Sequence, residues 1–543
     1  MFLTPDYITA TLRHIFGSAD AFAPELLTAG GVVLLLVLRL VPALDRLNLG
    51  VVALAVVLLA LGVSWIQWNS DVRPHTAFNG MLAYDGLTVF LRLFLLGFAA
   101  LVIWLSLLTG IPDREDSADF FALLLGATLG MMLMASANHL LMVYLAVEMA
   151  SLPSYALAGF LKGRRASSEA ALKYVVYGGA AAGVMLFGIS LLAGRFGTGY
   201  LPEVAASFTV VLRNAVQLQQ SSFDPVLVIG LLMIIVGLGF KLAAVPFHFW
   251  CPDVFEGAAA EVAAFLSVAS KGAAIALVGR FSLTMVGIGW GGPPVADDGW
   301  RLVTPYLGPA LAFLAAITAT FGNLAAYAQT NLKRLLAYST IAHAGYMLMA
   351  LAPLTRTGLD AALFYMAAYL VMNLGAFAVV AFIRNRTGTE DLSGYAGLGQ
   401  RAPLLTAALA VFLLSLVGLP PLIGYMAKFQ IFATLYDAAV SLDNGGLLVL
   451  LVIGLLNTVL SLFYYVRVLK VMILDAPPAG ADPAPVRVPP LQGLYTVLLA
   501  AVAVVGIFFW DPLAEASRRG AEPFRQVEVQ PAPPAVAAAP PNP

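Results

Sequence analysis

The stretch KLAAVPFHFWCPDVFEG, residues 241–257, decides how this chain is read. It closes an apolar run that starts at Val226, and a single helix over 226–255 would be ~45 Å long at 1.5 Å per residue. A hydrocarbon layer of ~30 Å needs less. Pro246 lacks an amide donor and clashes with the preceding turn, so the helix is interrupted there. The pattern recurs in VGLPPLIGYMAK, 417–428, where Gly418, Pro420, Pro421 and Gly424 fall inside an apolar segment, 403–438, of ~54 Å. Both segments are read as discontinuous helices, with a simple proline kink as the alternative. Broken helices expose backbone groups that lipid cannot satisfy, so they belong against protein or a wet cavity.

Working outward from these two stretches, apolar runs of about one membrane thickness recur along the chain. Of 543 residues, 61% are hydrophobic and only 11% charged, and the mean hydropathy is +0.89. Soluble domains carry about 25% charged residues. The runs are continuous rather than alternating over ~10 residues, which excludes a transmembrane β-barrel. The expected fold is therefore all-α and polytopic, with about fourteen transmembrane helices. Their predicted spans are 23–44, 49–67, 80–108, 118–136, 139–161, 169–194, 226–255, 259–283, 304–327, 333–353, 359–384, 403–438, 446–474 and 491–510. The interrupted helices are the seventh and the twelfth. Five spans separate them, so the second runs opposite to the first, as two inverted five-helix repeats (helices 4–8 and 9–13) would require. Broken helices at matching positions of such repeats point to ion sites.

The expected organisation is an N-terminal three-helix segment (1–117), a first repeat (118–283), a second repeat (304–474), a last span (491–510) and a Pro/Ala-rich tail (511–543). The first ~22 residues, with Asp6, Arg13, His14 and Asp20, do not read as a removable signal peptide. Lys and Arg cluster after odd-numbered helices, at Arg46, Arg114, Lys162, Arg164, Arg165, Lys333, Arg334, Arg384, Arg386, Arg401 and Arg487. The positive-inside rule then puts those loops in the cytoplasm and both termini outside. A net charge of -1 offers nothing to a nucleic acid.

Cys251 is the only cysteine, and the five histidines are scattered. An iron–sulfur cluster takes four thiolates and a disulfide two, so neither can be built within this chain. The chain is expected to carry no cofactor or metal of its own.

What remains is a small set of charges inside apolar helices. Glu148 lies mid-helix in LMVYLAVEMASLPSYALAGF, Lys173 in the first turns of the sixth helix, Lys241 before the first break, Lys271 centrally in FLSVASKGAAIALVG, and Lys428 after the second break. Each central charge costs ~2.5–3.5 kcal/mol on insertion scales, so all must be paired, hydrated or neutral part of the time. Lysine can lose its proton where arginine cannot. A row of such lysines can take up, pass on and release protons, which makes these five residues the candidate proton path. Alternatives stand beside it. Lys173 can snorkel to the interface or pair with Glu169. Glu148, Lys241 and Lys271 can form a structural ion pair. Lys428 can cap backbone carbonyls. His248 and His343 are possible relays or ordinary buried histidines. Asp85 and Arg92, seven apart on one face, read as structural.

At these residues the chain resembles the antiporter-like, proton-translocating membrane subunits of NADH–quinone oxidoreductase (respiratory complex I), most closely the subunit N branch. The resemblance is carried by LAVEMASLPSYALAGF, EAALKYVVYGGAAAGVMLFG, KLAAVPFHFWCPDVFEGA, FLSVASKGAA, NLKRLLAYSTIAHAGYML and GLPPLIGYMAKFQIF, from about residue 80 to 470. It implies that Glu148 modulates a lysine's charge state. It also implies that Lys173 and Lys241 lie on the input side, Lys271 at the centre and Lys428 on the exit side. NADH, FMN, iron–sulfur clusters and quinone would sit in partner subunits. The partners would be other membrane-arm subunits in a bacterial cytoplasmic membrane. One departure is that GAAAEV, with Ala260 and Glu261, stands where the family often has GAPxP. Rival readings are a subunit of a cation/proton antiporter or of a membrane-bound hydrogenase, and, in another class, a haem-bearing quinol cytochrome.

Overall fold

The computed structural model describes residues 18–41, 47–70, 72–217, 224–289, 299–477 and 485–525. His14, Arg46, the expected end of the first span at 42–44 and the tail from 526 lie outside the described residues. Runs of Leu, Val, Ala and Gly without polar interruption leave backbone pairing as the dominant requirement in lipid, and the helix meets it within one segment. The N-terminal helices are α1 (Ala23–Arg39), α2 (Leu49–Asn69) and α3 (Gly86–Thr109), which pack on one another and on α4 (Ser117–Ser136). The third span starts later than the expected residue 80. A short hairpin, β1 (His75–Ala77) with β2 (Leu82–Tyr84), comes first, and Asp85 then caps α3 by accepting from the Thr88 amide at 2.9 Å.

Next come α5 (Leu140–Ala158), α6 (Arg165–Phe196), α7 (Leu201–Gln217), α8 (Pro225–Leu242), α9 (Trp250–Gly257), α10 (Ala260–Phe265) and α11 (Lys271–Met285). A five-residue π turn, Leu266–Ser270, joins α10 to α11 as one span. Helix α7 lies in the stretch 195–225 that reads as a loop. Its apolar residues Leu201, Val204, Ala205, Phe208, Val211 and Leu212 follow helical spacing and pack toward α11 and α12 (Gly299–Ala326). Then follow α13 (Leu332–Leu351), α14 (Arg356–Thr387), α15 (Leu398–Arg401), α16 (Pro403–Val417), α17 (Ile423–Ser441), α18 (Gly445–Ile473), α19 (Pro490–Val505) and α20 (Asp511–Ala521). Helix α20 departs from the expected Pro/Ala-rich tail beginning at 511. Its buried small face, Ala514, Ser517, Gly520 and Ala521, docks on α3 and α14, and Ser517 donates to Asp360.

Among the described residues ten helices are long and apolar enough to cross a membrane. Helices α1, α13, α19 and the divided α16/α17 complete the expected number of spans. The two breaks are where the sequence puts them. The seventh span is interrupted between α8 and α9 around Pro246, and the twelfth between α16 and α17 around Pro420 and Pro421. The two five-helix sets also pack alike inside. Helix α4 pairs with α5 as α12 does with α13, and α6 with α8 as α14 does with α16.

Every residue of the span 260–285 is buried, so α10–α11 is the innermost element. Buried charges tie the N-terminal helices to this axis. Arg280 of α11 grips Asp85 bidentately at 2.7 and 2.8 Å and donates to the Ala135 carbonyl at 2.8 Å. Arg92 of α3 pairs with the fully buried Glu25 of α1 at 2.7 Å. Asp85 and Arg92 are thus each bound to another helix rather than to one another.

Removing one partner of a buried pair leaves the other charge uncompensated, at a cost of about 3–5 kcal/mol. Asp85→Ala is therefore expected to lower the thermal unfolding midpoint of the detergent-solubilised protein clearly. An unchanged midpoint would remove this pair from the account of the fold.

Candidate functional site

Each helix break frees backbone groups, and side chains from other segments take them up. At the first break, Trp250 Nε1 donates to the Phe240 carbonyl at 3.0 Å, and the Val245 amide donates to Thr318 Oγ1 of α12 at 3.0 Å. At the second, Lys428 Nζ donates to the Val417 carbonyl at 2.9 Å, and the Gly424 amide to Ser415 Oγ at 3.2 Å. Gly418 carries the turn with φ of 88°, a conformation open to glycine at no steric cost. The candidate lysines are built around these capped breaks.

Lys241, next to the last residue of α8, is fully buried and donates to Ser151 Oγ of α5 at 3.0 Å. Glu148, one turn back along α5, faces it electrostatically. Glu148 is half-buried rather than enclosed. Its neighbours Leu141, Leu145, Met149 and Leu152 are exposed, so α5 turns this edge to the perimeter of the chain. Lys241 also feels the charge of Lys271. Lys271 is fully buried at the first residue of α11, with Nζ 4.6 Å from the centre of the Trp250 ring and no hydrogen-bond partner among the described residues. Cys251 is its electrostatic neighbour. Trp250 therefore caps the broken helix with its indole N–H and covers a lysine with its face.

Between Lys271 and Lys428 lies a polar cluster on α13, α14 and α18. Tyr369 donates to Thr340 at 3.0 Å and packs on the His343 ring, with centroids 4.9 Å apart. His343 Nδ1 meets the Tyr365 hydroxyl at 2.6 Å, and Nε2 meets the Tyr465 hydroxyl at 3.3 Å, which in turn contacts Ser339. Lys428 lies within electrostatic reach of His343, with Nζ 4.5 Å from the centre of the Tyr346 ring. None of Lys241, Lys271 and Lys428 takes part in an ion pair within 4 Å among the described residues.

Two predicted members sit elsewhere. Lys173 is partly exposed and held by Asp253 at 2.6 Å and Glu169 at 2.8 Å. Asp253 also binds Arg334 at 2.5 Å, which makes a charged cluster over α6, α9 and α13. His248 lies in the first break, buried between the rings of Phe249 and Phe321, each 4.5 Å away. Sequence reasoning missed the tyrosines. Tyr365 and Tyr369 share one face of α14 at i, i+4 spacing inside an apolar run, which was the available signal. It also missed the quartet Lys333, Arg384, Glu390 and Glu261, whose members come from three separate segments.

Residues 137–461 match the family model described as NADH:quinone oxidoreductase/Mrp antiporter, TM. The chain is 41% identical over 516 residues to NADH-quinone oxidoreductase subunit N of Anaeromyxobacter sp. (strain Fw109-5), covering 94% of this chain and 97% of that one. It belongs to this family. Subunit N 2 of Sorangium cellulosum is likewise 41% identical, over 95% of this chain and 99% of its own length. Among solved structures, a chain of respiratory complex I from Thermus thermophilus superposes with a TM-score of 0.70 at 31% identity, covering 92% of this chain and 100% of that one. A chain of the Mrp complex from Dietzia sp. shares the fold, with a TM-score of 0.77 at 19% identity over 93% of this chain and 98% of that one. The family model runs from the residue before Asn138 to the middle of α18. It therefore takes in Glu148, Lys173, Lys241, Lys271, His343 and Lys428, and leaves out α1–α4, α19 and α20.

A structural ion pair and an unpaired buried lysine respond oppositely to substitution. Replacing an unpaired buried charge by a hydrophobic side chain of similar volume removes a desolvation cost and leaves no partner uncompensated, so it is neutral or stabilising. Lys241→Met and Lys271→Met are expected to leave thermal stability in detergent unchanged or raised. A marked loss in both would mean that these lysines hold the fold together.

Proposed function

We propose that this chain is a proton-translocating membrane-arm subunit of a bacterial NADH–quinone oxidoreductase. Its relatives' names and its high identity over nearly the full length support the assembly. The observation that carries the mechanism is the row of three buried lysines without ion-pair partners among the described residues, Lys241, Lys271 and Lys428, with His343 and its tyrosines between the last two. Burial penalises the ammonium form, so each site can exchange its proton when a nearby charge moves. Glu148 is the charge that modulates Lys241. Lys173, in its cluster with Asp253 and Arg334, stands at the cytoplasmic mouth. Lys271 is the central site, and Lys428 releases the proton to the outer side. His343 relays between them, and His248 lines the first break.

The redox chemistry belongs to partner subunits, which would hold NADH, FMN, iron–sulfur clusters and quinone. This chain answers it by conformational and electrostatic coupling. The proposed setting is the bacterial cytoplasmic membrane with both termini outside. The half-buried Glu148 supports a partner on the α5 edge, because a carboxylate facing lipid is costly while one facing a neighbouring subunit can be paired. The expected partners are sister antiporter-like subunits and small membrane subunits.

The test uses the assembled complex in membrane vesicles, with NADH oxidation and acidification followed together. Lys241→Ala is expected to lower the proton flux through this subunit by on the order of ten-fold or more, the scale for loss of a proton-transfer group. Unchanged protons per NADH in that variant would end the proposal.

A further inference from the structure

Glu261 is the residue that the family pattern does not account for, and it is fully buried. It lies in the first turn of α10, on the innermost span, at the end where Lys333, Arg384 and Glu390 meet. Arg384 Nη2 is 3.5 Å from one Glu261 oxygen, and Arg384 Nη1 is 3.9 Å from Glu390. Neither Glu261 oxygen has a hydrogen-bond partner among the described residues. Lys333 is satisfied without it, by Glu390 at 2.8 Å and the Ala258 carbonyl at 2.6 Å. Glu390, with 15% of its side chain exposed, connects this quartet to solvent beside the exposed Asp391.

The same span then carries a line of further buried polar atoms toward Lys271. Ser267, in the π turn, accepts from Asn373 of α14. Asn373 Oδ1, Ser270 Oγ and Lys271 Nζ have no hydrogen-bond partner among the described residues, and these three residues, like Ser267, are fully buried. Buried polar groups are almost always satisfied, by protein or by ordered water. Unsatisfied polar atoms on three residues of this span (Glu261, Ser270, Lys271), over ten residues or ~15 Å of helix, and on Asn373 of α14 beside it are partners that bound waters would take up. The π turn falls between the two ends of this line, and such turns occur frequently at functional sites.

From this arrangement we infer that Glu261 is a second proton input to Lys271, separate from Lys241. This rests on the proton-path reading above. A proton arriving by way of Glu390 neutralises the Glu261 carboxylate and shifts Arg384 toward Glu390. Glu261 then gives the proton to waters held by Ser267, Asn373 and Ser270, and Lys271 Nζ accepts it. The carboxylate, restored, pairs with Arg384 again. Only a proton is transferred, and the arginine, which keeps its charge, swings back and resets the site. The route lies at the seam between the two five-helix sets, against α14, whereas Lys241 faces α5.

The experiment compares four forms of the intact complex in membrane vesicles: unaltered, Lys241→Ala, Glu261→Gln, and both together. Acidification and NADH oxidation are measured across a range of cytoplasmic-side pH. With two inputs, Lys241→Ala retains a residual proton flux, and adding Glu261→Gln removes most of it, at least about three-fold on the scale of a lost proton-transfer group. Glu261→Asp, which keeps a carboxylate, retains the residual flux and its pH profile. A merely structural role predicts the reverse, with the near-isosteric Gln tolerated and the shorter Asp harmful. Equal flux in the double variant and in Lys241→Ala overturns the second input, and so does complete loss of flux in Lys241→Ala alone. Both results leave the wider proton-path proposal standing. That proposal fails separately, if Lys241→Ala pumps normally.

Discussion

A peptide group set free inside a hydrocarbon layer has no water to bond, and this constraint shapes the protein more than any other. Two of its spans are broken, and each break is held by side chains from outside the local turn. Trp250 and Thr318 satisfy the first, Ser415 and Lys428 the second. The satisfying groups are drawn from the candidate site itself. Trp250 covers Lys271, and Lys428 is one of the buried lysines. The means of breaking a membrane helix and the means of burying a lysine are therefore one piece of structure. It follows that substitutions at Trp250 and Lys428 carry structural as well as functional consequences, while Lys241 and Lys271 are more nearly free of structural duty.

A division of charged residues follows from the same economy. Arginine, which keeps its charge, is found in tight pairs: Arg280 on Asp85 and Arg92 on Glu25. The first fastens the N-terminal helices to the central span, and the second fastens α1 to α3. Lysine, which can become neutral, occupies the three buried positions without an ion pair among the described residues, Lys241, Lys271 and Lys428, whereas Lys333 is paired with Glu390. Arg384 is in a looser setting: it spans two carboxylates at 3.5 and 3.9 Å and so can lean toward either. Tight pairs serve the fold, and the loose or unpaired groups are those assigned to transport in the proposed function.

The central span joins these roles. It is enclosed along its whole length, carries Glu261 at one end, Lys271 in the middle and Arg280 toward the other, and changes its winding in the π turn before Lys271. Around it the two five-helix sets meet. Helix α9 packs against α13, and α10 against α14, so the polar groups of each set come within reach of the other. The tyrosine–histidine cluster between Lys271 and Lys428 is built within the second set, from α13, α14 and α18.

Much of this was readable in the chain itself, for physical reasons that act locally. Lipid demands long apolar runs, so the spans were visible. Proline and glycine break helices wherever they fall, so both breaks at Pro246 and at Pro420–Pro421 were visible. A lysine amid apolar residues stands out by cost alone, so Lys241, Lys271 and Lys428 could be named in advance. What needed the tertiary structure was everything set by which helices touch. Glu148 sits at the centre of its helix yet at the edge of the protein, because burial depends on neighbours rather than on position in the span. Asp85 and Arg92 share a helix but pair with Arg280 and Glu25, since a charge bonds across the bundle where the low-dielectric gap must be filled. The amphipathic α7 and α20 looked like loop and tail because their apolar faces are short and composed partly of small residues, which become a docking surface only against a partner helix. Glu261 showed in the sequence as a departure without a role. Only the approach of Arg384 and the line of unsatisfied groups toward Lys271 gave it one.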